Sequence, residues 1–151
     1  MNNLVFIKWA AVSCLLFVLL LDSCKTSPPV SNVPDAKLEE TYWKLTELMG
    51  ESVARPDPNG KEAHIILKSG NRLQGFAGCN SIMGTYEVTN KFSISFSGVA
   101  TTLMACVDMK KEDTLKKVLE QVDNYSIKGN NLSLNKARMA PLAKFEAVYL
   151  K

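Results

Sequence analysis

The chain has 151 residues, which gives room for one domain core and not for two. It is 46% hydrophobic and 22% charged, ordinary globular usage that excludes a disordered or collagen-like chain. Its 18 basic and 15 acidic residues are scattered to a net charge of +3, so the basic stripe that a nucleic-acid binder needs is missing.

Residues 1–23 have the layout of a cleavable secretory signal: Lys8 near a polar start, the apolar run Trp9 to Leu21, and a small-residue exit at Ser23. The apolar run is shorter than the roughly 20 residues that a bilayer-spanning helix needs, so this segment is expected to leave rather than to remain as a span. The tetrad Leu21-Asp22-Ser23-Cys24 resembles a lipobox, which implies cleavage before Cys24 and acylation of that cysteine. Asp22 departs from the small or apolar residue usual there. The competing tetrad Ala11-Val12-Ser13-Cys14 is disfavoured because cutting there leaves Leu15 to Leu21 as an exposed apolar patch. Acyl chains contribute about 0.8 kcal/mol per buried CH2, so several on one cysteine attach a protein durably. Lys25 rather than Asp after the cysteine resembles the signal for an outer-membrane anchor facing the periplasm. Residues 24–39 read as the lipidated tether, with Pro28, Pro29 and Pro34 favouring extended chain, and residues 40–151 as the domain.

From Glu40 onward short runs alternate with turn signals, the pattern of an antiparallel sheet that curls. Tyr42 to Leu48 is a strand with Trp43 and Leu45 on one face. Gly50 to Gly60 is a long loop, and Ala63 to Leu67 and Arg72 to Ala77 pair across Ser69-Gly70-Asn71. Gly75, Gly78 and Gly84 cluster around Cys79 and Asn80, which marks bulges or close backbone approach rather than a phosphate-binding fingerprint. Gly84 to Val88 and Phe92 to Phe96 form a second hairpin. Asp108 to Val122 changes period, with Leu115, Val118, Leu119 and Val122 at helical spacing, so one amphipathic helix is expected to lie on the sheet. Asn124 to Lys128, the Gly129-Asn130 turn, Leu132 to Asn135 and Ala143 to Leu150 close the sheet. The expected fold class is α+β: a curved antiparallel sheet forming a partial β-barrel with one packed α-helix, after the signal segment.

Of the four cysteines, Cys14 leaves with the signal and Cys24 is acylated. The remaining pair, Cys79 and Cys106, is read first as a disulfide because an exported domain meets an oxidising compartment, with two free buried thiols as the alternative. Closing the loop from residue 79 to residue 106 stabilises by roughly 3 kcal/mol in the chain-entropy model.

Chemistry is sparse. His64 is the only histidine: a cysteine–histidine nucleophile pair needs it beside Cys79 or Cys106 with that thiol left reduced, and a zinc site falls short of four N or S ligands. Met83, Met104, Met109 and Met139 are soft ligands in principle, but methionines at apolar positions are usually core. Glu112 and Asp113 read as favourable charges at the positive end of the helix dipole. No catalytic residue, metal or cofactor is expected.

The blocks Gly75-Phe76-Ala77-Gly78-Cys79-Asn80, Gly84-x-Tyr86 and Thr102-x-Met104-Ala105-Cys106, with Trp43-x-Leu45, Leu119 and Leu132-x-Leu134, resemble the signature of the META domain of HslJ-like bacterial envelope proteins. The resemblance spans about residues 40 to 150 and implies one α+β domain with a curved antiparallel sheet around one helix, linked to envelope or stress tolerance and to no shared reaction. Its motif residues here are Trp43, Gly75, Gly78, Asn80, Gly84, Tyr86, Thr102 and Met104, either structural or binding, with Met104 expected to fill a core gap. The function expected is a non-enzymatic lipoprotein, held to the membrane through Cys24, that binds an envelope protein or an apolar small molecule at the mouth of its sheet. A structural or chaperone-like stress protein is the alternative, and thiol or metal handling stands behind both.

Overall fold

A computed structural model of the chain describes residues 34–53, 62–106 and 109–149. The predicted signal segment, Cys24, most of the predicted tether and the loop predicted around Pro56 to Asn59 lie outside the described residues. Among those described, nine strands and one helix follow in order: β1 (Tyr42–Leu48), β2 (Glu51–Ser52), β3 (His64–Lys68), β4 (Arg72–Phe76), β5 (Ser81–Val88), β6 (Ile94–Thr101), α1 (Lys110–Gln121), β7 (Asn124–Lys128), β8 (Asn131–Asn135) and β9 (Ala143–Val148).

All strand pairs are antiparallel, in the order β6-β5-β4-β3-β1-β9-β8-β7, with the short β2 added to β1. The two outer strands curl towards each other until their ends touch. Tyr125 N–H donates to the Phe92 carbonyl at 2.8 Å and Ile94 N–H to the Asp123 carbonyl at 3.3 Å. Helix α1 packs against β6 where this seam is otherwise open, so the architecture is the expected half-barrel with one helix.

Side-chain alternation accompanies the curl, with one face of β1, β3, β8 and β9 turned to the core. In β1, Trp43 and Leu45 point inward, and a register shift between Leu45 and Glu47 then resets the alternation so that Leu48 points inward too. Trp43 is fully buried with its indole N–H donating to the Leu38 carbonyl at 2.9 Å, and Phe145, Ile65, Leu73 and Leu132 join it inside. Leu115, Val118 and Leu119 bring the helix stripe onto this core.

Several predicted boundaries move, each for a local reason. The loop expected from Gly50 contains β2, because Met49 and Gly50 both adopt positive φ (52° and 82°), the geometry of a two-residue hairpin turn. The sequence places Phe92 at the start of a hairpin strand. Asn90 Oδ1 instead accepts the N–H groups of Phe92 and Ser93 at 3.0 and 3.1 Å, which folds Phe92 into an exposed turn and delays β6 to Ile94. The helix is shorter than expected, and Tyr149 follows β9 as an exposed residue.

Gly75 sits where β3 and β4 come closest. A Cβ there would collide with the His64 carbonyl oxygen and approach the Ile65 Cα at 3.0 Å. Gly75→Ala is therefore expected to force the two backbones apart and to cost about 1–3 kcal/mol, read as a lower urea midpoint with an unchanged m-value.

Candidate functional site

Asn80 stands just before β5 and is fully buried. Its backbone N–H donates to Glu112 Oε2 at 2.8 Å, and its side-chain amide donates to Glu112 Oε1 at 3.1 Å and to the Met104 carbonyl at 3.2 Å. Its Oδ1 accepts the Thr102 hydroxyl and the Met104 N–H, both at 2.8 Å, while its own carbonyl accepts Ala77 N–H at 2.8 Å. One amide side chain thus ties together the β4–β5 turn, the segment after β6 and the first turn of α1, using both lone pairs of its oxygen.

Glu112 stands in the first turn of α1, as its reading as a favourable charge there implies, and is only 3% exposed, which that reading did not include. It is a buried carboxylate, and a charge removed from water needs donors aimed at it, which Asn80 supplies twice. Its place in the third position of α1 adds the favourable field of the helix start. The signal was present in the sequence, because Glu112 lies in line with Leu115 and Leu119 on the helix stripe.

Thr102 extends the pairing of β5 with β6 by one step: its N–H donates to the Ser81 carbonyl at 3.1 Å and its Oγ1 accepts Ser81 N–H at 3.2 Å. Cys79 and Cys106 form the expected disulfide, with Cα atoms 6.3 Å apart, and so fasten the far end of the same segment. Between these fastenings Leu103 is 98% exposed and Met104 is 59% exposed. Met104 therefore does not fill a core gap. Its main chain is what the motif uses, held by Asn80 on both its N–H and its C=O, and its side chain is left outside. Met83 and Met139 are exposed as well, against the expectation that such methionines are core.

The other motif residues do not join this cluster. Trp43 anchors the core, Gly75 permits the β3–β4 contact, and Gly84 lies at the β5–β6 register shift, where a Cβ would come within 3.1 Å of the Ser97 carbonyl. Gly78 turns with a φ of 121° and lies against the aliphatic part of Lys111. Tyr86 is buried at the opposite end of β5 from Asn80, its hydroxyl donating to Glu39 Oε1 at 2.6 Å and reaching the Lys68 carbonyl at 3.2 Å. Burial, followed by the hydrogen bond to Glu39, pushes the Tyr86 phenol well above its ordinary value. His64 lies on the outer face of β3, its ring stacked 4.2 Å from that of Tyr42 and 6.5 Å from that of Phe76, with Nδ1 2.9 Å from the Glu62 carbonyl.

Among the described residues no group of three or more His, Cys, Asp or Glu side chains gathers as a ligand set for a metal ion. The polar groups around Asn80 are turned on one another, so their chemistry is that of a clamp holding an exposed loop.

Removing the amide tests the clamp. Asn80→Ala is expected to cost about 3 kcal/mol or more in chemical denaturation, because the Glu112 carboxylate stays buried with one donor lost. Asn80→Asp sets two carboxylates against each other, and part of its loss is recovered in acid. Tyr86 makes a separate prediction. A phenol whose pKa is raised on folding contributes stability that is complete below the unfolded value and is lost as pH rises past about 10. Tyr86→Phe should abolish that alkaline decline in thermal melts, at the cost of one hydrogen bond.

Comparison with known proteins places these features. No curated protein matches the chain in sequence. Two structures solved by NMR share the fold: a Burkholderia xenovorans protein, at TM-score 0.58 and 22% identity over 74% of this chain and 83% of its own, and a second protein at TM-score 0.56 and 19% identity over 72% and 89%. The family model of the META domain matches residues 36–149, from the segment that leads into β1 to the residue after β9. The chain therefore belongs to the META domain family.

Proposed function

We propose that the protein is an envelope lipoprotein of the HslJ-like kind, whose META domain acts without catalysis by presenting its clamped loop to a partner protein. The observation that carries this reading is the state of residues 102–106: the main chain is fixed by Asn80 and by the Cys79–Cys106 disulfide while Leu103 and Met104 project into solvent. A loop already held in one conformation loses little entropy on binding. The inside of the sheet is filled by Trp43, Phe145, Leu45 and their neighbours, which favours a partner at the surface over the apolar small molecule expected at the mouth of the sheet.

The signal segment and Cys24 support export and acylation, and a disulfide fits an oxidising compartment such as the periplasm. Outer-membrane placement rests on Lys25 after the acylated cysteine. A second reading, a chaperone-like role in stress, draws on the nearly complete exposure of Leu103, since exposed apolar side chains of this kind also capture unfolded chains.

Cys24→Ser is expected to shift the protein from the membrane to the soluble fraction of the envelope with its melting temperature unchanged. Continued co-fractionation with membranes would count against the anchor. Leu103→Asp combined with Met104→Asp should change stability by no more than about 0.5 kcal/mol while failing to complement a deletion strain under envelope stress. Full complementation would remove the loop from the function. Loss of protection against aggregation of an unrelated denatured protein in light scattering would favour the chaperone-like reading.

A further inference from the structure

The ends of the half-barrel differ. Asn80, Cys79 and residues 102–106 occupy one. The chain enters the domain at the other, where Ala36 N–H donates to the Gly129 carbonyl at 2.9 Å, Asp35 Oδ1 accepts Gly129 N–H at 2.7 Å, and Glu40 N–H donates to the Leu67 carbonyl at 2.9 Å. Strand register puts the β3–β4 and β7–β8 turns at this same entry end, and Tyr149 joins them through its hydroxyl, 3.2 Å from Asn130 Oδ1. Strand β5 runs from the Asn80 end towards the entry end and delivers the turn that carries Lys91 and Phe92 beside β7.

Exposed aromatic and basic side chains meet here. Phe92 is 61% and Tyr149 65% exposed, and the Lys91 ammonium lies 5.7 Å from the Phe92 ring centre. Lys37, Arg72, Lys91 and Lys128 stand against Asp35, Glu39 and Glu87, with Lys68 and Glu40 paired to each other. The charges nearly balance, so this end has no strong field, and the rings are its distinguishing feature. An apolar ring such as Phe92, a ring with a polar tip such as Tyr149, and lysines that extend their ammonium groups outward are side chains that settle together at a lipid–water boundary.

The length of chain outside the structure supports the same occupant. Between Cys24 and Pro34 only Lys25 to Val33 intervene, which at ~3.3–3.6 Å per residue reach about 30 Å when fully extended. That reach matches roughly one strand length of the domain, so an anchor at Cys24 keeps the entry end close to the bilayer. We propose that the entry end is a lipid-contacting face: Phe92 and Tyr149 rest on the bilayer surface, and the Asn80 end with Leu103 points away from it. This orientation rests on the lipoprotein reading above.

The test supplies the anchor chemically. The chain made without residues 1–23 is coupled to a maleimide lipid through Cys24, its free thiol once Cys79 and Cys106 are paired, and is placed on phosphatidylcholine vesicles with brominated or ordinary acyl chains. Trp43 is fully buried and gives a constant background, so Phe92→Trp and, separately, Leu103→Trp add one reporter at each end. The expected result is loss of the added emission of Phe92→Trp on brominated vesicles and no loss for Leu103→Trp. Quenching of Leu103→Trp overturns the orientation. Quenching of neither overturns the lipid contact and leaves the rings to a protein partner. Natural acylation is read independently, from the intact mass of the protein extracted from membranes: an unacylated mass overturns the lipoprotein reading and leaves the vesicle result standing.

Discussion

A single buried contact, the Asn80 amide against the Glu112 carboxylate, organises the end of the molecule that carries the family motif. A carboxyl group buried at Glu112 needs donors, and Asn80 could not remain buried without satisfying its own groups. Each solves the other's problem. What Asn80 has left over, the two lone pairs of Oδ1 and one amide hydrogen, reaches Thr102 and Met104 and fixes the segment that follows β6. The disulfide works on the same loop by covalent means, so two unrelated kinds of interaction converge on a segment with no regular secondary structure.

That convergence gives the motif residues, read from the sequence as either structural or binding, a plainly architectural part in space. Cysteine, asparagine, threonine and methionine in short blocks suggest a site, but the structure uses their polar atoms against each other and shows solvent the side chains of Leu103 and Met104, which carry no reactive group. The remaining motif positions hold up the sheet: Trp43 at its centre, Gly75 and Gly84 where backbones approach, Tyr86 as a polar tie at the far end of β5. The family signature thus records how a curled sheet and one helix are fastened together.

Most of the fold was legible because strand alternation and the helical stripe are strong, local signals. Trp43 and Leu45, or Leu115 and Leu119, declare their inward faces without any knowledge of partners. The disulfide was legible from the cysteine count once residues 1–23 were read as an export signal. What escaped reading depended on pairs distant in sequence. Glu112 reads only as a charge favoured by the helix start until Asn80 is placed beside it, and Met104 reads as core until its backbone, not its side chain, is seen to be the part that is held. Phe92 failed for a nearer reason: the Asn90 side chain captured two backbone N–H groups.

The first strand of the domain pairs with the last: β1 lies between β3 and β9, with Tyr42 opposite Val148 and Leu48 opposite Ala143. A chain emerging amino end first, from a ribosome or through a translocation channel, therefore exposes the most central strand earliest and must wait for nearly its whole length before that strand has both neighbours. Such long-range closure is slow and leaves an open hydrogen-bonding edge in the meantime. Carboxy-terminal truncations that remove β9 would leave Trp43 and Leu45 without one wall of their core, so quality control of this domain has in effect to be exercised on the complete chain.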